Sequence, residues 1–123
     1  MTTLFQKGQF RKVIKEASNL TSEFSNVPLL WNILGASNAQ LGRFTEAENF
    51  LRKAIELNPN SPDVHNNLAI ILERQNKLND SIVSFKKALA LKTNYPEAYN
   101  NIGKIYSRQG KSVEAANAFL NAL

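Results

Sequence analysis

PDVHNNLAIILERQN, residues 62–76, is matched 34 residues later by PEAYNNIGKIYSRQG, residues 96–110. Both stretches open on a proline, carry two adjacent asparagines and end in Arg-Gln followed by Asn76 or Gly110. The likeness extends outward. Residues 62–89 and 96–123 agree at ten of 28 positions, and residues 28–61 and 62–95 agree at seven. A chain that repeats itself at this period is an array of one supersecondary unit, so the repeat decides the fold.

The punctuation defines the unit. Pro28, Pro62 and Pro96 lie 34 residues apart, as do Gly8, Gly42, Asn76 and Gly110. Proline suits the first position of a helix, where its missing N–H has no partner to lose. Glycine just past a helix end takes the left-handed conformation, and asparagine is its usual substitute. Each unit therefore reads as helix, tight turn, second helix and short loop. In the first helices Trp31, Leu34 and Gly35 recur as His65, Leu68 and Ala69, then as Tyr99, Ile102 and Gly103. In the second helices Ala47, Leu51 and Ala54 recur as Ser81, Phe85 and Ala88, then as Ala115, Phe119 and Ala122. Small residues let the paired helices approach, and large ones fill the space between them.

These positions resemble the signature of the tetratricopeptide repeat family over essentially the whole chain. Trp31, Leu34, Gly35, Ala47, Leu51, Ala54 and Pro59 match it in the first full repeat, and Tyr99, Ile102, Gly103, Tyr106, Ala115, Phe119 and Ala122 in the third. Asn38 stands where an aromatic is expected, which predicts looser packing at that turn, and Thr93 replaces a closing proline. The resemblance implies an all-α, right-handed α-solenoid of antiparallel helix pairs. Residues 28–61 and 62–95 would be complete repeats, 96–123 a truncated one, and 1–27 the rear of another, with Gly8 as its turn. The third repeat stops inside its second helix without a polar cap, which predicts either a longer array or an end covered by a second copy.

Within such a solenoid the first helices line a concave groove. The expected groove residues are Asn32, Asn66, Asn67, Ile70, Arg74, Asn100, Asn101, Lys104 and Arg108. A primary amide offers donors and an acceptor together, so an asparagine can pair with both polar groups of a peptide unit. The resulting asparagine ladder is similar to that of the repeat arrays attached to O-linked N-acetylglucosamine transferases, with Ile33 interrupting it. Members that clamp a chaperone's C-terminal carboxylate carry basic residues where Asn32, Glu97 and Asn101 stand here and an asparagine in place of Ala36, with only Asn67 matching, so that ligand is not expected.

Other classes find little support. The formal charge is +5, but the basic pairs Arg11-Lys12, Arg52-Lys53 and Lys86-Lys87 fall on second helices, scattered rather than gathered into a phosphate track. With no cysteine there is no thiol nucleophile or thiolate metal site. His65, the only histidine, holds the packing position of Trp31 and Tyr99, and no phosphate-cradling or nucleophile motif is present. The longest apolar run, LAIIL, is far below the ~20 residues a membrane helix needs. The expectation is a cytoplasmic, non-catalytic scaffold without cofactor or metal, binding a protein or peptide and no nucleic acid or membrane, with self-association through its ends as a further property. The alternatives are the recognition segment of a larger enzyme, such as a glycosyltransferase, and a purely architectural module.

Overall fold

The computed structural model describes residues 4–123, with side chains from residue 6 onward. Among the described residues seven helices follow one another: α1 (Leu4–Glu23), α2 (Pro28–Gln40), α3 (Phe44–Leu57), α4 (Pro62–Arg74), α5 (Leu78–Leu91), α6 (Pro96–Arg108) and α7 (Ser112–Asn121). No strand occurs among them. The chain forms two compact units, one ending at Asn60 and the other running from Ser61 to Leu123. That division falls on the repeat boundary marked by Pro62.

Each turn between paired helices is closed in the same way. Gly42, Asn76 and Gly110 have φ of 76°, 62° and 74°. Their N–H groups donate back to Ala39, Glu73 and Ser107, and those of Arg43, Lys77 and Lys111 to Asn38, Leu72 and Tyr106, at 2.8–3.0 Å. These paired bonds satisfy the last carbonyls of each first helix, as in a Schellman motif. Pro28, Pro62 and Pro96 each begin a helix.

In the N-terminal unit α2 pairs with α3, and α1 packs on α2. Trp31 stacks on Phe50 with ring centroids 6.1 Å apart and donates its indole N–H to the Ser25 carbonyl at 2.8 Å. Asn38 is buried, and its Nδ2 donates to the Leu34 carbonyl at 2.8 Å, so the missing aromatic is replaced by an internally satisfied amide. The expectation for Gly8 fails. It lies within the continuous helix α1, outside the left-handed region, and only Leu4–Lys7 of that helix precede it. Glycine permits the left-handed conformation but does not impose it, and here the helical hydrogen bonding runs on through the residue.

In the C-terminal unit α4 pairs with α5 and α6 with α7; α6 also packs on α5 and touches α4. Phe85 sits in a core with Ala69, Ile82, Ala88, Tyr95, Ala98, Ile102, Ile105 and Ala118. Ser81 is fully buried and donates its hydroxyl to the Ala69 carbonyl at 2.6 Å, binding α5 to α4. Across the two repeats of this unit, Arg108 reaches the Asn76 Oδ1 at 3.2 Å and Gln109 the Asn79 Oδ1 at 3.0 Å. Asparagine at the left-handed turn thus supplies a side-chain bond that glycine cannot.

The small residues do set the helix separation. A methyl group on Gly35 would lie 2.6 Å from two Leu51 carbons and 3.3 Å from the Ala47 carbonyl. On Gly103 it would meet the Phe119 ring at 2.7–3.0 Å. Leu51 has no exposed surface, whereas Phe119 is 37% exposed and free to swing outward. Gly35→Ala is expected to cost about 1–2 kcal/mol net, overpacking outweighing the helix-propensity gain. Gly103→Ala is expected to be near neutral. Urea midpoints of the two variants test the contrast, and equal losses would refute it.

Tyr95, immediately before Pro96, ties the repeats together at the other end. Its hydroxyl donates to Asp63 Oδ1 at 3.1 Å, and Lys92 Nζ stands 4.4 Å from its ring centroid. Burial, the hydrogen bond to Asp63, and the negative charges of Asp63 and Glu97 raise its pKa from 10.0 to about 12. Because the folded-state value is the higher one, this contribution is intact below pH 10 and is lost as pH rises toward 12. Tyr95→Phe should remove that alkaline decline while lowering stability at neutral pH by about 1 kcal/mol. Thermal unfolding of both proteins from pH 8 to 12 measures it, and parallel curves would exclude a role for the phenol.

Candidate peptide-binding cleft

The expected groove residues divide once they are placed in the fold. Consecutive residues of a helix project about 100° apart, so two adjacent asparagines cannot face the same way. In α6 it is Asn101, half-buried, that turns toward α4, while Asn100 is exposed elsewhere. In α4 Asn66 is buried, 2% exposed, and its Oδ1 has no hydrogen-bond partner among the described residues. It does not take the solvent-facing place expected of it. Asn67 is half-buried in the C-terminal unit and Asn32 half-buried in the N-terminal one, and neither lines the cleft described next.

That cleft, about 400 Å³, lies in the C-terminal unit and is walled by α4 and α6. Ile70, Glu73 and Arg74 line it from α4; Glu97, Asn101 and Lys104 line it from α6; Phe85 of α5 forms its floor. Four expected residues, Ile70, Arg74, Asn101 and Lys104, therefore meet in one place. The spacing explains why: positions 73 and 74 follow 70 by three and four, and 97, 101 and 104 are four and three apart, so each set shares one helix face.

The charges are not equivalent. Glu73 is paired with Arg108 at 3.5 Å, a contact between partly exposed groups that contributes little stability but occupies the carboxylate. Arg108 is thereby committed to Glu73 and Asn76 rather than to the cleft. Arg74 and Lys104 form no ion pair among the described residues. The cleft thus combines an apolar seat at Ile70 and Phe85, one amide, two uncommitted cations and the Glu97 carboxylate. His65 is buried, as its packing position predicts. Among the described residues no group of three or more His, Cys, Asp or Glu could hold a metal ion, and no helix is long and apolar enough to cross a membrane.

Comparison with known proteins agrees with this architecture. The chain is similar to a solved MamA structure at 22% identity and a TM-score of 0.87, over 97% of this chain and 73% of that one. A second, MamA MSR-1, gives 24% identity and a TM-score of 0.82 over 96% and 68%. At such identities the likeness shows the fold. No curated protein matches the sequence. The TPR repeat family matches residues 35–76 and 74–110, more than half the chain. With its Schellman turns and small-residue helix contacts recurring at the same period, the chain belongs to the TPR repeat family.

Proposed function

We propose that the chain is a non-catalytic protein-interaction scaffold that holds an extended peptide segment in the cleft between α4 and α6. The supporting observation is the convergence of Ile70, Arg74, Asn101 and Lys104 on one open space of about 400 Å³, within the size range of ligand sites. Each residue has a distinct part. Asn101 pairs with the N–H and C=O of the ligand's main chain. Ile70, above Phe85, seats one apolar side chain, and Arg74 and Lys104 attract an acidic one. Glu97, on the same wall as Lys104, disfavours a second acidic residue beside it and so contributes to register.

The expectation is tested with a library of unstructured peptides, measured against the wild-type chain and an Arg74→Ala/Asn101→Ala/Lys104→Ala variant whose helicity is verified by circular dichroism. Affinity of selected peptides is expected to fall at least tenfold, about 1.4 kcal/mol. Peptides that bind both proteins equally, or a library that yields none, would remove the cleft from consideration.

A further inference from the structure

We propose that the C-terminal unit carries a second docking site, the cleft between α5 and α7, and that its occupant is an amphipathic helix of a protein partner. Helices α5 and α7 do not pack on one another; α6 lies against both. The space between them is about 320 Å³. On α6 it is lined by Tyr99, Ile102 and Tyr106, which lie roughly 140–200° around the helix from Glu97 at ~100° per residue. The peptide cleft and this one therefore occupy opposite faces of α6.

The lining has a helical period on every wall. Tyr99, Ile102 and Tyr106 are spaced three and four apart on the floor, Glu114, Ala118 and Asn121 four and three apart on α7, and Lys86 and Leu89 three apart on α5. A helix laid along the cleft presents apolar side chains at the same spacing for about two turns, ridge into groove. An extended strand, with side chains alternating every ~3.3 Å, would match it only intermittently.

Polarity and charge narrow the occupant further. Leu89, Ile102, Ala118 and the two tyrosines line the floor, with Lys111 Nζ 5.9 Å from the Tyr106 ring centroid. Tyr99 and Tyr106 are half-buried, and neither hydroxyl is hydrogen-bonded among the described residues, although tyrosine hydroxyls in such settings ordinarily find a partner. Lys86 on the α5 rim and Glu114 on the α7 rim are exposed and form no ion pair among the described residues. Opposite charges on opposite rims select a helix with acidic residues along one flank of its apolar stripe and basic residues along the other, which also fixes its direction.

The test is selection from a displayed library of helical peptides with leucine fixed at i, i+4 and i+7 and the flanks randomised among Lys, Glu and Ala, using the whole chain as target. Selected peptides are expected to carry the two charges on separate flanks. Glu114→Lys should weaken them about fivefold, and the Lys86→Glu/Glu114→Lys pair should select peptides with the flanks exchanged. Asn117→Trp, at an exposed position on the same rim, should abolish binding, while Arg74→Ala/Lys104→Ala should leave it unchanged. No enriched peptide, or enriched peptides indifferent to Asn117→Trp, would overturn the proposal. A self-association dissolved by Asn117→Trp would do so too, because the occupant would then be a second copy.

Discussion

Phe85→Ala is expected to destabilise the C-terminal unit by about 3–5 kcal/mol, toward the upper end of that range. Phe85 is 1% exposed at the centre of a core whose other members include Ala69, Ala88, Ala98 and Ala118. Those four alanines bring the helices close and leave one ring to fill the space. Removing it creates a cavity that alanine side chains cannot reach across to close, and the helix backbones are held by the Ser81 bond to Ala69 and the Tyr95 bond to Asp63. The cost therefore includes both lost transfer free energy and a persistent void. Against a typical domain stability of about 5–15 kcal/mol, such a loss shifts the urea midpoint far down. Val83→Ala on the same helix, at a position 52% exposed, should stay within about 0.5 kcal/mol of wild type. A Phe85→Ala loss below about 1 kcal/mol would mean that the ring does not fill the core as described.

That prediction rests on a feature legible in the sequence, since Leu51, Phe85 and Phe119 recur at the period of 34 opposite Gly35, Ala69 and Gly103. The helix starts at proline and the left-handed turns are legible for the same reason: one residue type has one backbone preference. Equivalence under the period does not, however, specify environment. Asn32, Asn66 and Asn100 hold the same repeat position, yet they are half-buried, buried and exposed respectively. Burial depends on which side chains lie opposite, and those differ between repeats. Gly8 obeys the spacing but not the turn, because glycine permits the left-handed conformation without imposing it. The cleft between α5 and α7 leaves little trace in the sequence because its lining reads there as ordinary packing positions. Tyr99, Ile102 and Tyr106 satisfy the repeat signature whether or not a neighbouring helix covers them fully.

Asn66→Leu is expected to stabilise the protein by about 1–3 kcal/mol. An amide in mid-helix already costs roughly 0.5 kcal/mol relative to leucine. Here burial costs more than propensity does: Asn66 is 2% exposed and its Oδ1 accepts no hydrogen bond among the described residues. A carbonyl oxygen removed from water without a replacement partner forfeits its solvation, whereas leucine of similar size forfeits nothing and buries additional apolar surface. Asn100→Leu supplies the control, because Asn100 occupies the same repeat position but is exposed, so only the difference in helix propensity, about 0.5 kcal/mol, remains. The difference between the two variants isolates the cost of the orphaned oxygen. The same pair separates stability from recognition. If the cleft reads its ligand through Asn101, Arg74 and Lys104, then Asn66→Leu raises the urea midpoint and leaves peptide affinity unchanged. A destabilised Asn66→Leu would instead place a bonded, structurally required amide at that position. In α6 Asn101 can line the cleft because Asn100 faces elsewhere at almost no cost in stability, whereas in α4 Asn66 is turned inward at a cost and Asn67 does not line the cleft.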